Sequence, residues 1–174
     1  MIRTGVVGVG YLGRFHAQKY AQLEQSRLIA VADPSAEARE SVARELGVEA
    51  VADYRELLGR VDALSIVTPT PTHHAIAREA LLAGVDVLLE KPITVTPEEG
   101  RELVELAAAA GRILQVGHLE RFNAVIQAAQ PVLAAPRFIE SARLAPFRQR
   151  GTDVDVVLDL MIHDIDLILS IVRS

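Results

Sequence analysis

The chain has 174 residues, 50% of them hydrophobic and 4% aromatic, so it can bury one complete domain of about 100 to 150 residues and part of another. Its net charge of −5 excludes nucleic acid as the main partner, because neutralising phosphates requires a basic surface. The lack of cysteine excludes disulfides, a thiol nucleophile and cysteine-ligated zinc. No apolar stretch reaches the roughly 18 residues of a membrane span, and no signal-peptide pattern is present. We therefore expect a soluble cytoplasmic protein without membrane contact.

Short β-branched segments alternate with helical periods along the first two thirds of the chain. The predicted strands are 3–9, 27–33, 49–52, 62–68, 86–90 and 113–118. The predicted helices lie near 11–24, 35–46, 54–59, 72–83 and 97–110, with glycines at several of their ends. This alternation predicts an α/β fold in which a doubly wound parallel sheet is covered by helices on both faces.

The alternation ends near residue 120. Residues 121–134 predict a long apolar helix, residues 136–147 a strand, and residues from about 154 to 172 a final helix. We therefore divide the chain into a first domain, 1–120, and the beginning of an incomplete α+β substrate domain, 121–174.

A glycine-rich segment, GVGYLG, joins the first predicted strand to the first predicted helix. Gly8 allows a tight turn, Gly10 lets a pyrophosphate approach the backbone, and Gly13 lets the helix pack closely. Alone, this pattern also suits a methyltransferase or a simple tight turn. Asp33 ends the second strand, where a carboxylate binds the adenosine ribose, although it can instead cap the next helix, a role that Ser35 also fits. Together these features predict a dinucleotide-binding domain of the Rossmann type.

The expected cofactor is NAD in preference to NADP. A carboxylate at Asp33 repels a 2′-phosphate, and no arginine directly follows it. Arg39 is the nearby cation that weakens this prediction.

The strand DVLLE ends in Glu90, Lys91 and Pro92. Lys19 and Lys91 are the only lysines among 18 basic residues, so a lysine at this strand end is notable. One interpretation is chance and an ion pair with Glu90. The other is functional, because lysine, unlike arginine, can lose its proton near neutral pH when it is buried.

The final predicted helix carries a narrow polar stripe. Its members are Asp155, Asp159, His163, Asp166 and Ser170. Their spacing places them on one side of an otherwise apolar helix. The stripe is either the solvent-exposed face of an amphipathic helix or a strip that faces a wet cleft.

The motifs resemble, in order, those of the glucose-fructose oxidoreductase, inositol dehydrogenase and rhizopine-catabolism family (Gfo/Idh/MocA). The segments that carry the resemblance are GVGYLG, TPTPTHHAIAREALLAGVDVLLEKP, QVGHLERFN and LDLMIHDID. The tripeptide EKP is the family's most characteristic one, and the resemblance implies a cis proline at Pro92. It also implies that Lys91 lies beside the nicotinamide and the substrate hydroxyl.

The resemblance implies roles for further residues. Those implied for cofactor binding are Gly8, Gly10, Tyr11, Leu12, Gly13, Asp33, Thr68, His73, Glu90 and Lys91. Those implied for catalysis are Lys91, His163 and Asp159, and those for substrate contact are His118, Arg121 and Asn123. No metal is expected, and neither His16 nor His74 is given a role.

The expected function is oxidoreduction with a nicotinamide cofactor, acting on a secondary alcohol or ketone of a sugar, cyclitol or sugar nucleotide. QVGHLERFN and LDLMIHDID look most like members that oxidise nucleotide-linked amino sugars. The family also implies a longer, homo-oligomeric protein, so the chain is expected to be truncated in its second domain. The alternatives are a catalytically silent dinucleotide-binding fragment and a methyltransferase, which leaves EKP unexplained.

Overall fold

The structure, a computed structural model, describes residues 1–133, 136–144 and 155–172. It divides into two compact units, Met1–Val116 and Gly117–Ser174. Along the described residues, no helix is both long and apolar enough to cross a membrane.

The first unit alternates strands and helices as the sequence predicts. Its strands are β1 (Ile2–Val7), β2 (Ser26–Ala32), β3 (Glu49–Val51), β4 (Ala63–Ile66), β5 (Asp86–Leu89) and β6 (Leu114–Val116). Its α-helices are α1 (Tyr11–Gln22), α2 (Ala36–Leu46), α3 (His73–Leu82) and α4 (Pro97–Ala110). Short 3-10 turns lie at Tyr54–Leu57 and Thr70–Thr72.

The six strands form one parallel sheet in the order β3-β2-β1-β4-β5-β6. The chain builds outward from β1 to β3 on one side and from β4 to β6 on the other, so the winding direction reverses between β1 and β4. In such sheets, ligands bind beyond the carboxyl ends of the strands at the point of reversal. The predicted doubly wound sheet of the Rossmann type is confirmed.

Neighbouring residues of the central strands enter cores on opposite faces of the sheet, because strand side chains alternate in direction. Val6 packs in the core beneath α1 and α2, and Val7 packs in the core beneath α3 and α4. Leu64, Ile66 and Leu89 are at most 1% exposed. Burying each of these side chains stabilises the fold by roughly 1.5–3 kcal/mol. This two-sided burial explains why the central strands read as continuous apolar runs.

The helix predicted near 54–59 is wrong in extent and forms only the 3-10 turn Tyr54–Leu57. Asp53 caps this turn, accepting a hydrogen bond from the Arg55 amide at 2.9 Å. Leu58 then adopts an extended backbone with φ −62° and ψ 134°. Only one turn therefore fits between β3 and β4.

The second unit departs further from prediction. The single helix expected over 121–134 is replaced by a 3-10 turn (Leu119–Phe122), a short helix α5 (Ala124–Ala129) and another 3-10 turn (Gln130–Val132). Asn123 interrupts the helix because its backbone is extended and its side chain accepts a hydrogen bond from the Val125 amide at 2.9 Å. Pro131 removes a backbone donor just beyond α5.

The strand predicted over 136–147 is also wrong for residues 136–144, which form no regular structure. A strand requires a partner, and no strand of the described chain pairs with this segment. Residues 145–147 lie outside the described part. The final helix predicted from about 154 to 172 begins with a π-helical turn (Val157–Met161) and continues as α6 (Ile162–Ile171).

Candidate active site

The glycine-rich turn lies at the carboxyl end of β1. The surroundings of its three glycines differ, so a side chain would have a different effect at each. Gly8 has φ +81°, and a Cβ there would lie 2.6 Å from the Val67 carbonyl oxygen. A Cβ on Gly13 would lie 1.8 Å from the Gly8 carbonyl oxygen, so α1 can pack on the turn only without a side chain. A Cβ on Gly10 would meet nothing within 4 Å. Gly10 therefore faces open space at the amino end of α1, where a phosphate group can approach the backbone.

Tyr11 and Leu12, which follow Gly10, lie at the exposed start of α1, with 72% and 39% of their surface accessible. The Tyr11 ring meets Phe15 edge to face, with the centroids 5.4 Å apart. Both predicted cofactor residues are thus beside the glycine turn and open to a ligand.

The Asp33 carboxylate is fixed by the backbone at the end of β2. Its Oδ2 accepts a hydrogen bond from the Val9 amide at 2.9 Å, and its Oδ1 accepts one from the Ser35 amide at 2.8 Å. A carboxylate has about four acceptor positions, so these two bonds leave room for ribose hydroxyls. Ser35, in turn, caps α2 by accepting from the Ala38 amide at 3.3 Å, and Asp33 is not needed for that cap.

A cavity of about 670 Å³ lies between the ends of β1, β2 and β4. Gly8, Asp33 and Thr68 line it, together with Tyr54 and Ile76, which the sequence interpretation did not single out. Burial raises the pKa of the Tyr54 hydroxyl to about 12, and the neighbouring Glu79 adds to the effect. The cavity wall at Tyr54 is therefore an uncharged aromatic ring, and this volume suits a nucleoside.

His73 is 1% exposed and holds two backbone segments together. Its Nε2 lies 2.8 Å from the Thr68 carbonyl oxygen, and its Nδ1 lies 2.9 Å from the Pro92 carbonyl oxygen. The Thr68 hydroxyl accepts a hydrogen bond from Thr72 at 2.7 Å. Any contribution of His73 to cofactor binding therefore comes through the turns after β4 and β5 that it holds, and not through direct contact of its ring nitrogens.

The residues of the EKP tripeptide follow directly after β5. Glu90 is 6% exposed, Lys91 is partly buried, and the Lys91–Pro92 peptide bond is cis. One oxygen of Glu90, Oε2, accepts a hydrogen bond from the Lys91 amide at 3.3 Å. The charges that end this strand thus lie at the ligand-binding edge of the sheet, outside the two cores.

His16, to which the sequence interpretation gave no role, contacts this tripeptide. Its Nε2 is 3.2 Å from Glu90 Oε1, and its Nδ1 is 2.7 Å from the hydroxyl of Ser65 in β4. Burial raises the pKa of Tyr20, which hydrogen-bonds the same hydroxyl, an interaction that opposes the rise. No signal in the sequence linked these residues, because they come from different elements.

In the second unit, two of the predicted substrate residues face Asp166 and the third caps α5. Arg121 donates two hydrogen bonds to Asp166, at 2.7 and 2.5 Å, and His118 Nδ1 lies 3.7 Å from the same carboxylate. Burial raises the pKa of Asp166, but Arg121, His118 and His163 together hold it below its usual range. Asn123 caps α5 and donates to Glu120 at 3.3 Å.

The polar stripe of the final helix is partly buried in its middle and exposed at its two ends. Asp166, near its middle, is 7% exposed, and Asp159 and His163 are partly buried. By contrast, the apolar residues Ile165 and Leu169 are 37% and 67% exposed. The stripe is therefore neither wholly exposed nor wholly covered, because Arg121 holds Asp166 within the second unit while Asp155 and Ser170 are exposed. Asp155 accepts hydrogen bonds from two amides at the start of this helix and acts as its cap.

The predicted catalytic residues are divided between the units, with Lys91 in the first and Asp159 and His163 in the second. Among the described residues, no group of three His, Cys, Asp or Glu side chains is arranged to hold a metal ion.

Comparison with known proteins gives the family. Residues 2–118 match the model of the GFO_IDH_MocA group, described as an oxidoreductase family with an NAD-binding Rossmann fold. The chain belongs to this family. The resemblance drawn from the motifs is thereby confirmed, as is the expectation of an NAD-binding domain.

Within the Gfo/Idh/MocA family, several relatives are similar over almost the whole chain. The UDP-N-acetylglucosamine 3-dehydrogenase of Acidithiobacillus ferrooxidans is 50% identical over 97% of this chain and 53% of its own. The scyllo-inositol 2-dehydrogenase (NAD(+)) of Bacillus subtilis is 33% identical over 95% of this chain and 52% of its own. The chain thus spans about half the length of these relatives.

Solved structures show the same similarity. That of the Acidithiobacillus UDP-N-acetylglucosamine 3-dehydrogenase superposes with a TM-score of 0.91 at 49% identity, covering 98% of this chain and 56% of the other. That of scyllo-inositol dehydrogenase from Lactobacillus casei, with bound NAD(H) and scyllo-inositol, superposes with a TM-score of 0.72 at 30% identity. It covers 76% of this chain and 41% of the other.

Proposed function

We propose that this chain belongs to an NAD-dependent dehydrogenase that oxidises a secondary alcohol of a nucleotide-linked amino sugar. One observation carries the choice of substrate class. The UDP-N-acetylglucosamine 3-dehydrogenase of Acidithiobacillus ferrooxidans is 50% identical over 97% of the chain, whereas the scyllo-inositol 2-dehydrogenase of Bacillus subtilis is 33% identical over 95%. Both alignments extend into the second unit, which carries the predicted substrate residues, so the higher identity favours the sugar-nucleotide class.

The first unit fits the adenosine diphosphate part of NAD. Gly10 is open to a pyrophosphate, Asp33 retains acceptor positions for ribose, and the cavity beside Tyr54 has the size for a nucleoside. When bound, NAD accepts the hydride that leaves the carbinol carbon of the substrate.

In this proposal, three side chains act on the hydroxyl group that is oxidised. Lys91 donates a hydrogen bond to the oxygen as negative charge develops there. His163 accepts the hydroxyl proton, and Asp159 orients the imidazole and stabilises its charged form. Loss of this proton to His163 leaves the oxygen able to form the carbonyl of the ketone as the hydride leaves the carbon. Asp166 is held by Arg121, and the nearby His163 contributes to lowering the pKa of the Asp166 carboxyl.

A dehydrogenation assay tests the proposal. The chain would be incubated with NAD and either UDP-N-acetylglucosamine or scyllo-inositol, while NADH formation is followed by absorbance. We expect NADH formation with the sugar nucleotide and little with the cyclitol. Oxidation of scyllo-inositol alone would overturn the choice of substrate class.

A second candidate is dinucleotide binding without turnover. It is favoured by the fact that the chain spans about half the length of its relatives, while the residues predicted to bind the dinucleotide all lie in the first unit. Isothermal titration with NAD distinguishes the two functions: tight binding together with the absence of NADH formation on either substrate supports this second function.

A further inference from the structure

A buried set of polar side chains connects α1 with the turn after β5. It consists of His16, Ser65 and Glu90, joined by the contacts of 2.7 and 3.2 Å described above. The His16 and Glu90 side chains are only 9% and 8% exposed, and Ser65 is 0% exposed. Burying polar groups is costly unless they have partners, so these three side chains depend on one another.

The groups that face the His16 ring determine its tautomer. A bare ring nitrogen and a carboxylate oxygen would repel each other, so Nε2 carries the proton that points toward Glu90. Nδ1 then accepts a hydrogen bond from the Ser65 hydroxyl, 2.7 Å away. Within the described chain, no donor is aligned for a hydrogen bond to Glu90 Oε1. The His16 N–H, 3.2 Å away, therefore supplies the nearby positive potential on that side.

Glu90 transmits this contact to Lys91. The Glu90 amide donates to the Ile66 carbonyl at 3.0 Å, so the backbone is fixed up to this residue by the sheet. The next peptide group is held by Glu90 Oε2, which accepts from the Lys91 amide. Pro92 has no amide hydrogen, and its carbonyl is held by His73. The orientation of the Glu90 carboxylate therefore helps to set the direction in which Lys91 leaves the sheet.

We propose that His16 is a positioning residue for Lys91, acting through Glu90. His16 lies in the same helix whose amino end receives the cofactor pyrophosphate, so one side chain fixes the Lys91 turn relative to the glycine-rich turn. The mechanistic meaning of this role rests on the proposed function, in which Lys91 contacts the substrate hydroxyl. The contact geometry itself does not.

Two substitutions separate the contacts of His16. In His16→Gln, the side-chain amide nitrogen reaches about as far as Nε2 and keeps an N–H group beside Glu90. In His16→Asn, the shorter side chain reaches about as far as Nδ1 and keeps only Ser65. If His16 served only packing or general polarity, both variants should affect Lys91 in the same way. Positioning through Glu90 instead predicts that His16→Gln preserves the environment of Lys91 and His16→Asn does not.

The reactivity of Lys91 gives a readout that does not depend on turnover. The chain has two lysines, and Lys19 is exposed on α1, so it is an internal standard. Limiting acetic anhydride would be added to the full chain, and acetylation at Lys91 relative to Lys19 measured by mass spectrometry. We expect the ratio to change by about threefold or more in His16→Asn and to stay near the parent value in His16→Gln.

His74→Asn serves as the matched control, because His74 pairs with Glu102 at the surface and contacts no part of the tripeptide turn in the described structure. It should leave the ratio unchanged. If His16→Asn fails to fold in a urea unfolding measurement, Glu90→Gln replaces it and should change the ratio by a similar factor. A parent-like ratio in whichever of these variants folds would overturn the proposal.

Parallel dehydrogenation assays keep the two proposals distinguishable. Suppose that His16→Asn changes the ratio of Lys91 to Lys19 acetylation but the parent chain shows no dehydrogenation. This result supports the positioning role and counts against the proposed reaction. When the parent turns over, His16→Asn should lower kcat on the order of 10-fold with little change in KM for NAD. Normal kcat together with an unchanged Lys91 ratio would overturn the positioning role and leave the proposed reaction standing.

Discussion

Adding one methyl group at Gly10 or at Gly13 should have opposite consequences for folding and for cofactor binding. At Gly13 the new Cβ would lie 1.8 Å from the Gly8 carbonyl oxygen, a backbone atom that cannot move without displacing the turn. At Gly10 the new Cβ would have no neighbour within 4 Å. The two variants add the same atoms and so form a matched pair.

The expected loss of stability in Gly13→Ala follows from two opposing terms. Replacing glycine by alanine inside a helix stabilises it by about 1 kcal/mol. Overpacking costs about 1–3 kcal/mol and occasionally more, and a contact this short with backbone belongs at the upper end. The free energy of unfolding should therefore fall by roughly 2 kcal/mol or more in Gly13→Ala. In Gly10→Ala it should fall by no more than about 1 kcal/mol, the cost of alanine at a helix N-cap.

For Gly10→Ala, the larger effect should be on NAD affinity and the smaller one on stability. A methyl group there occupies the space through which the pyrophosphate approaches the amino end of α1, so affinity should fall on the order of 10-fold or more in a protein that is nearly as stable as the parent. Urea unfolding and NAD titration by fluorescence measure the two quantities. Parent-like NAD affinity in Gly10→Ala, or parent-like stability in Gly13→Ala, would refute the assignment of distinct roles to these glycines.

Four further predictions concern cofactor choice, chemistry, acid stability and association. Because Asp33 repels a 2′-phosphate, NAD should bind more tightly than NADP in fluorescence titrations, and equal affinity would contradict this role. In a form of the protein with a complete second domain, Lys91→Met and His163→Ala should each lower turnover on the order of 10²-fold while NAD affinity, measured by calorimetry, stays nearly unchanged. Hydrogen bonds from Arg3 lower the pKa of Asp62 from 3.8 to about 2. The stability that this pair provides is therefore present above pH 3.8 and lost as the pH falls through about 2. Asp62→Asn should flatten the decline of the unfolding free energy over that range. The exposed apolar residues of α6 should make the chain self-associate, and light scattering that shows a monomer at every concentration would contradict this.

Local patterns predicted most of the first unit. The segments around β1, β4 and β5 are apolar and β-branched and are separated by helical periods, so their type and order follow from the sequence. The glycine spacing likewise predicted the turn after β1, because Gly8 and Gly13 each answer a steric constraint within that turn or just beside it. The resemblance to the family supplied the remaining predicted site residues.

The errors have local and tertiary causes. Alanine and leucine between 121 and 134 favour a helix, but the Asn123 cap and Pro131 divide it. His16 was missed because its partners are 49 and 74 positions away, and only the folded sheet brings Ser65 and Glu90 beside it. The polar stripe on the final helix was ambiguous because periodicity shows that side chains share a face without showing what covers that face.

The environment of Asp33 also limits how cofactor preference can evolve or be engineered. Its two oxygens hold the amides of Val9 and Ser35, and Arg39 donates to the carbonyls of Asp33 and Pro34, at 3.3 and 3.1 Å. A neutral residue at this position would remove the repulsion of a 2′-phosphate beside a cation that is already present. It would also release one or both amides that tie the glycine turn to the end of β2. The same side chain therefore affects both the choice between NAD and NADP and the conformation of the glycine turn. A switch to NADP requires compensating substitutions in the glycine turn itself.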